Sequence, residues 1–528
     1  MSRTITASYS PTRSSLLFRQ GGDSLLPWLV PAGIFLAWSL ASHFGWMSRQ
    51  VLPPPSLVWQ TLLELGGGEL WEHLGISLRR LALGLLAGVA AGALLGATLG
   101  ANARLERLAY PTFASLAQVP TLAWIPLFML FFGIGEALKL VVLIKAVVVP
   151  VTVHTLVGVR DTQPRLREAA AVLRLAPHLR LWRLTVPAAL PSFMAGLRIA
   201  LSTAWSSLLA VELLASSEGI GYLMVWGRQL FMLDIVFVCI LAIGLLGVLM
   251  DKGIALLDRR LLFWPHPPLA EFRRRHIKSD WQRLEPWLLP LALLGLWQLA
   301  CSRQWIDANI LVAPIAVLHS IWSGLLDGSL GEALARSLGR ALGGLLLGGG
   351  LGLAMGILLG LWRPGERLLG PTLGVLRHVA IFAWVPLITA WFGLGEAAKL
   401  VFVAFATFFP LFIATRRGIA NLSPQLDEAA RVLRLNHRLR LTRLVLPGAA
   451  PAIFAGLRLA LIYAWLGTIG AEYFMPSDGG IGSLMIAAQQ LFQMDRIMAA
   501  MSLIGLTGAL INTLGQLIEA RATRWRNA

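Results

Sequence analysis

Apolar residues run through this chain in stretches too long and too unbroken to be the buried faces of soluble helices. About 20 consecutive apolar residues, at 1.5 Å rise each, cross the hydrocarbon core of a bilayer. Six stretches of that kind fall in the first half, over residues 26–45, 77–100, 108–132, 137–158, 190–214 and 230–256. Six more follow over 286–302, 337–361, 368–392, 397–416, 450–474 and 491–517. A bilayer leaves no partner for free backbone groups, so such stretches must be helices. The pattern predicts an all-α polytopic membrane protein with about 12 transmembrane helices.

The two sets match residue by residue in places. "WIPLFMLFFGIGEALKL" (124–140) aligns with "WVPLITAWFGLGEAAKL" (384–400), and "AGLRIALSTAW" (195–205) with "AGLRLALIYAW" (455–465). Two repeats in parallel orientation each need an even number of crossings, which six satisfies. Residues 1–258 and 284–528 are expected as the two repeats, joined by a basic, Pro-broken linker at 259–283 that contains "WPHPP" and "EFRRRH". Glycine recurs every four residues at Gly84, Gly88, Gly92, Gly96 and Gly100, and again at Gly344, Gly348, Gly352, Gly356 and Gly360. In water each helical Gly costs roughly 1 kcal/mol relative to Ala, whereas in lipid small residues four apart let helix backbones approach closely. The rows are expected to be packing seams.

Composition agrees. Apolar residues make up 56% and charged ones 14%, with mean hydropathy +0.70, against a charged fraction of about 25% in soluble proteins. The net charge of +18 would suit nucleic acid, but the arginines fall in short segments between apolar runs and form no stripe on a polar domain. Those segments, around Arg104 and Arg107, Arg160 to Arg183, Arg259 to Lys278, Arg363 and Arg367, Arg416 and Arg417, and Arg431 to Arg443, define the cytoplasmic side by the positive-inside rule. This puts both termini in the cytoplasm, with the first apolar run kept as a span and not cleaved as a signal peptide. Cys239 and Cys301 alone can build neither a disulfide framework nor a metal cluster, so no metal site is expected.

The longest repeated charged loop is "EAAAVLRLAPHLRLWRLTVPAALP" (168–191), matched by "EAARVLRLNHRLRLTRLVLPGAAP" (428–451). Leu175, Leu179, Trp182 and Val186 share one helical face, apart from the arginines. An interfacial helix on anionic headgroups would account for that face, but not for Glu-Ala-Ala and a closing Pro in both copies.

Here the chain resembles the permeases of binding-protein-dependent ABC importers, whose EAA loop docks into a cytoplasmic ATPase. "SLRRLALGLLAG", "PLFMLFFGIGEALK", "SEGIGYLMVWGRQLF" and their counterparts look like the nitrate/sulfonate/taurine branch. The resemblance covers nearly the whole chain twice and implies two fused permeases of the MetI-like, type I fold in a bacterial cytoplasmic (inner) membrane. The implied substrate is a small anion such as nitrate, a sulfonate, taurine or bicarbonate. The implied coupling residues are Glu168, Ala169, Ala170, Arg174 and Pro187, with Glu428, Ala429, Ala430, Arg434 and Pro447 in the second copy. Family loops carry Gly where Arg174 and Arg434 stand, so the bend is expected to move to Ala176-Pro177 and to Asn436, with Pro187 and Pro447 ending the segment.

None of the five lysines follows a Gly, so the chain has no P-loop and no cofactor of its own. It is not expected to be an enzyme. ATP and Mg would be bound by a partner, two copies of an ATPase subunit, with an extracytoplasmic binding protein delivering solute. A twelve-helix secondary transporter is the alternative, since parallel repeats occur there too. Ser202, Trp205 and Ser206, with Tyr463, Trp465 and Thr468 in the other copy, give the fifth span of each half a polar and aromatic face expected to line the pathway. Lys145 lies deep in a span at a depth similar to Glu212, so the two are expected to pair near the outer pathway, either as a structural ion pair or with the lysine attracting an anion. Glu472 repeats the acid, while Phe405 replaces the lysine.

Overall fold

The computed structural model describes residues 13–162, 168, 170–262, 281–305, 311–423, 425, 428, 430, 432–476 and 479–524. Ala169, Ala429 and most of the 259–283 segment lie outside the described residues. All regular structure among the described residues is helical. The first half holds α1 (Arg13–His43), α2 (Pro55–Gly66), α3 (Glu69–Ala101), α4 (Ala103–Gln118), α5 (Ile125–Phe132), α6 (Glu136–Arg160), α7 (Val186–Ala215), α8 (Ile220–Gln229) and α9 (Leu233–Leu261). The second holds α10 (Trp281–Ser302), α11 (Pro314–Leu326), α12 (Ser329–Gly344), α13 (Gly350–Leu361), α14 (Arg363–Leu376), α15 (Val385–Phe392), α16 (Glu396–Ala420), α17 (Leu446–Phe474), α18 (Ile481–Gln490) and α19 (Met494–Ala522). A π turn at Leu345–Gly349 joins α12 and α13 into one span.

The first glycine row lies along α3 against α6. A Cβ built on Gly84 would stand 2.6 Å from Leu143 Cβ, on Gly88 2.6 Å from Val147 Cβ, on Gly92 2.9 Å from Val151 Cβ, on Gly96 2.7 Å from Thr155 Cβ and on Gly100 3.0 Å from Val159 Cβ. No real side chain fits there. In the second half Gly344 meets Val403, Gly356 meets Thr415 and Gly360 meets Ile419, while Gly348 and Gly352 press on main-chain atoms of Ala404 and Phe408. Each glycine thus meets a residue further along α6 or α16 as its own number rises, so α3 runs parallel to α6 and α12–α13 parallel to α16.

That register settles the third span of each half. Sequence alone predicts straight helices over 108–132 and 368–392; the structure breaks both, by 93° between α4 and the Thr121–Phe132 segment and by 91° between α14 and the Ile381–Phe392 segment. In the first half Val119 is extended (φ −73°, ψ 119°), as suits a residue before Pro120. No proline follows Val379 in the second half, yet Ala380 takes the same extended form (φ −58°, ψ 138°). Because α3 and α6 run the same way, the bent pair must carry the chain back across the membrane, so it is a broken span. Ten long apolar helices and two bent pairs then make up to 12 crossings.

Each broken span packs on the opposite half. Val119, Ala123 and Leu127 share a buried cluster with Ala464, Trp465, Ile469 and Ile504. Ala380, Ala383 and Leu387 share another with Ala204, Leu208, Ile240 and Ile243. Glycines on the last helix of each half make room: a Cβ on Gly505 would be 2.7 Å from Val119 Cγ2, and one on Gly244 2.9 Å from Val379 Cγ2. The molecule therefore has two packing bodies, each made from most of one half plus part of the broken span of the other.

Candidate functional site

One surface is built twice at the Arg-rich end. Glu168 and Glu428 are exposed, and Ala170 and Ala430 are buried. Leu175 N–H donates to Ala170 O and Arg174 N–H to Ala171 O, both at 3.1 Å, which closes a Schellman turn. Such a turn needs its penultimate residue in the left-handed region, and Arg174 supplies it at φ 48°. Leu435 N–H donates to Ala430 O at 3.1 Å, and Arg434 has φ 47°. This corrects the expected displacement of the bend: it stays where family loops carry Gly. Ala176 is ordinary extended backbone (φ −59°, ψ 147°), and Asn436 acts as a helix cap, its Oδ1 accepting from Leu439 N–H at 2.8 Å.

Pro187 and Pro447 do not end the segment either. The chain turns from helix at Pro177–Arg180 into a π turn at Leu181–Thr185 and continues into α7, with Pro187 in its first turn. A widened turn accommodates a residue with no N–H to give. The second copy repeats this through Arg440–Val445. Beside the arginines the loops show bare apolar groups: Val172, Leu173 and Trp182 are 82%, 70% and 67% exposed, and Val432 and Leu433 are 82% and 69% exposed.

At the opposite end a buried charge cluster holds each half together. Arg80 Nη1 donates to Glu212 Oε1 at 2.9 Å, and its Nε to Glu136 Oε2 at 2.9 Å. Glu212 also accepts from Ser77 Oγ at 2.9 Å and from Gly221 N–H at 3.0 Å. The second half repeats this: Arg340 meets Glu472 at 2.6 Å and Glu396 at 2.6 Å, while Ser337 Oγ and Gly482 N–H donate to Glu472 at 2.7 and 2.8 Å. Arg80, Glu212, Arg340 and Glu472 are buried, so their charges are stabilised only by this dense pairing. The Lys145–Glu212 pair expected from depth does not form: Thr203 on α7 meets Ala146 beside the lysine, which leaves Glu212 roughly 13 Å further toward the start of α6, where the arginine of "SLRR" takes the acid. Glu212 and Glu472 are accordingly buried partners of Arg80 and Arg340. The signal in the sequence was the repetition of Ser, Arg and both Glu residues at a spacing of 260 within apolar runs.

Of the fifth-span candidates, Ser202 and Tyr463 are exposed and Ser206 half-buried, whereas Trp205, Trp465 and Thr468 are buried. Trp465 Nε1 donates to Ile504 O at 3.1 Å, and Thr468 Oγ1 to Ala464 O at 2.9 Å, so both serve packing. Between the two bodies Leu122, Leu138, Val142 and Val211 cluster with Leu214, Phe382 and Phe474. The Phe382 ring lies 5.4 Å from that of Phe474 and 5.8 Å from that of Phe402, an apolar plug on the seam. Lys145 sits beside it, its Nζ donating to Val119 O at 2.8 Å and Thr121 Oγ1 at 3.4 Å.

Comparison with known proteins identifies the architecture. The profile of the "binding-protein-dependent transport system inner membrane component" family matches twice, over residues 84–263 and 348–525. The chain belongs to this family. It is similar to a putative aliphatic sulfonates transport permease of Escherichia coli strain K12, 40% identical over 252 residues, which are 48% of this chain and 95% of that protein. It is also similar to the taurine transport system permease of the same strain, 33% identical over 44% of this chain and 87% of the relative. A bicarbonate transport system permease of Synechocystis is 31% identical over 46% of this chain and 90% of the relative. Each relative is nearly covered by about half of the permease, which is a transport protein and not an enzyme.

Proposed function

We propose that residues 1–258 and 284–528 are the two permease units of one ABC importer, joined by the 259–283 segment, that together carry a small anion across a bacterial cytoplasmic membrane. The observation that supports this best is the pair of exposed loops with matching left-handed turns at Arg174 and Arg434, each presenting bare apolar groups among arginines. One ATPase subunit docks on each loop, so two identical subunits serve the chain. Glu168 and Glu428 open the docking segments, and the Arg-rich end faces the cytoplasm. A binding protein delivers solute at the opposite end. The names of the relatives point to sulfonates, taurine or bicarbonate, all small oxyanions or carriers of one.

The test is purification of the tagged permease from its native membrane, followed by assay of ATP-driven uptake. A nucleotide-binding subunit should copurify. Glu168→Arg with Glu428→Arg should cut uptake and substrate-stimulated ATP hydrolysis at least tenfold while membrane insertion persists. Uptake without any ATPase partner would instead establish a secondary transporter.

A further inference from the structure

Lys145 is an ionisable group inside a span with no described carboxylate paired to it. Ionisable residues at such depth are costly, and face protein or a water-filled path. Its Nζ has three N–H groups, and the two acceptors it meets, Val119 O and Thr121 Oγ1, are neutral. The Trp124 ring centre lies 5.5 Å from Nζ, and the Trp124 indole N–H is buried without an acceptor among the described residues.

The position is specific. Lys145 lies on α6, which packs in one body through Leu143 and Val147. Val119, to which it donates, packs in the other. The bond therefore crosses the seam. Val142 of the apolar plug stands three residues away on the same helix, roughly 4.5 Å along the axis toward the Glu136 end. Lys145 thus lies on the Arg-rich side of the plug, about one helical turn from it. The second half has no equivalent: Phe405 stands there, its ring 5.2 Å from that of Trp384.

We infer that Lys145, with Thr121 and Trp124, forms a single anion site on the seam just past the plug, which takes a small singly charged oxyanion, sulfonate or carboxylate, in transit. An oxyanion there replaces the hydration that the ammonium loses in the span, and the hydroxyl and indole N–H supply further donors. Because only one half carries the lysine, the transporter holds one anion at a time at this level. The inference rests on the importer reading above.

Uptake of labelled ethanesulfonate, taurine and bicarbonate into vesicles holding the complete transporter tests it. Lys145→Met should lower uptake of the carried anion at least tenfold, chiefly by raising the half-saturating concentration, and Lys145→Arg should recover most of it. Lys145→Gln separates charge from capping, since Gln can still donate to Val119 O. If the Gln variant transports like the parent, the lysine is only a cap and the anion site is refuted. A parent that imports only solutes without a sulfonate, carboxylate or other oxyanion group refutes it too. Normal import by Lys145→Met removes this site alone, whereas absence of ATP-dependent uptake by the parent removes the importer reading itself.

Discussion

Arg80 and Glu212 are 132 residues apart in the chain and meet at 2.9 Å with side chains 2% and 0% exposed, and Arg340 and Glu472 repeat the pair at 2.6 Å. One guanidinium thereby fastens α3 to α7, to the start of α6 through Glu136, and to the turn before α8 through Glu218 O at 2.9 Å. Gly219 completes the joint. Its φ is 101°, and a Cβ there would press on the Glu212 carboxylate and the Arg80 guanidinium.

The two acids on Arg80 should differ in weight. Glu136 is 49% exposed and can fall back on water, whereas Glu212 cannot. Removing one partner of a buried pair leaves an uncompensated charge and costs about 3–5 kcal/mol, while exposed pairs give about 0–1 kcal/mol. Glu212→Gln should therefore lower the melting temperature in detergent far more than Glu136→Gln. Equal losses would show that Glu212 is better solvated than its burial implies.

The glycine rows make a graded prediction. Gly88→Leu must push α3 off Val147 and should destabilise the permease strongly, as should Gly352→Leu against Phe408. Gly350 sits in the same second-half stretch with nothing within 4 Å of a built Cβ. Gly350→Ala should thus be neutral or stabilising, by up to about 1 kcal/mol from reduced chain entropy. Thermal melting of the three variants checks the order, and a Gly350→Ala loss as large as that of Gly88→Leu would contradict the seam.

The left-handed arginines invite relief. A non-Gly residue in that region costs roughly 1–2 kcal/mol, so Arg174→Gly and Arg434→Gly should slow amide exchange at Leu175 and Leu435, whose N–H groups close the turns. Arg174→Val, β-branched and unable to take φ 48° without strain, should speed it. Faster exchange in the glycine variants would mean that the arginine side chains, not the turns, hold these loops.

Periodicity and repetition in the sequence determined much of this protein. Apolar length specified the spans, the 260-residue echo specified two repeats, and the fourfold glycine spacing marked the faces that meet α6 and α16. These are local or translational properties, and a bilayer makes them nearly sufficient because it forbids unpaired backbone. Partner choice among distant groups was not local. Counting residues placed Lys145 level with Glu212, but α7 meets α6 with Thr203 against Ala146, so Glu212 lies nine residues, roughly 13 Å, nearer the outer end, where Arg80 and not the lysine reaches it. The break after Val379, which no proline marks, and the left-handed Arg174, which local preference opposes, were likewise decided by tertiary packing. In both cases contacts from the rest of the fold, the glycine-lined last helix of the opposite half and the Schellman closure on Ala170, outweigh the one or two kcal/mol by which the local sequence would choose otherwise.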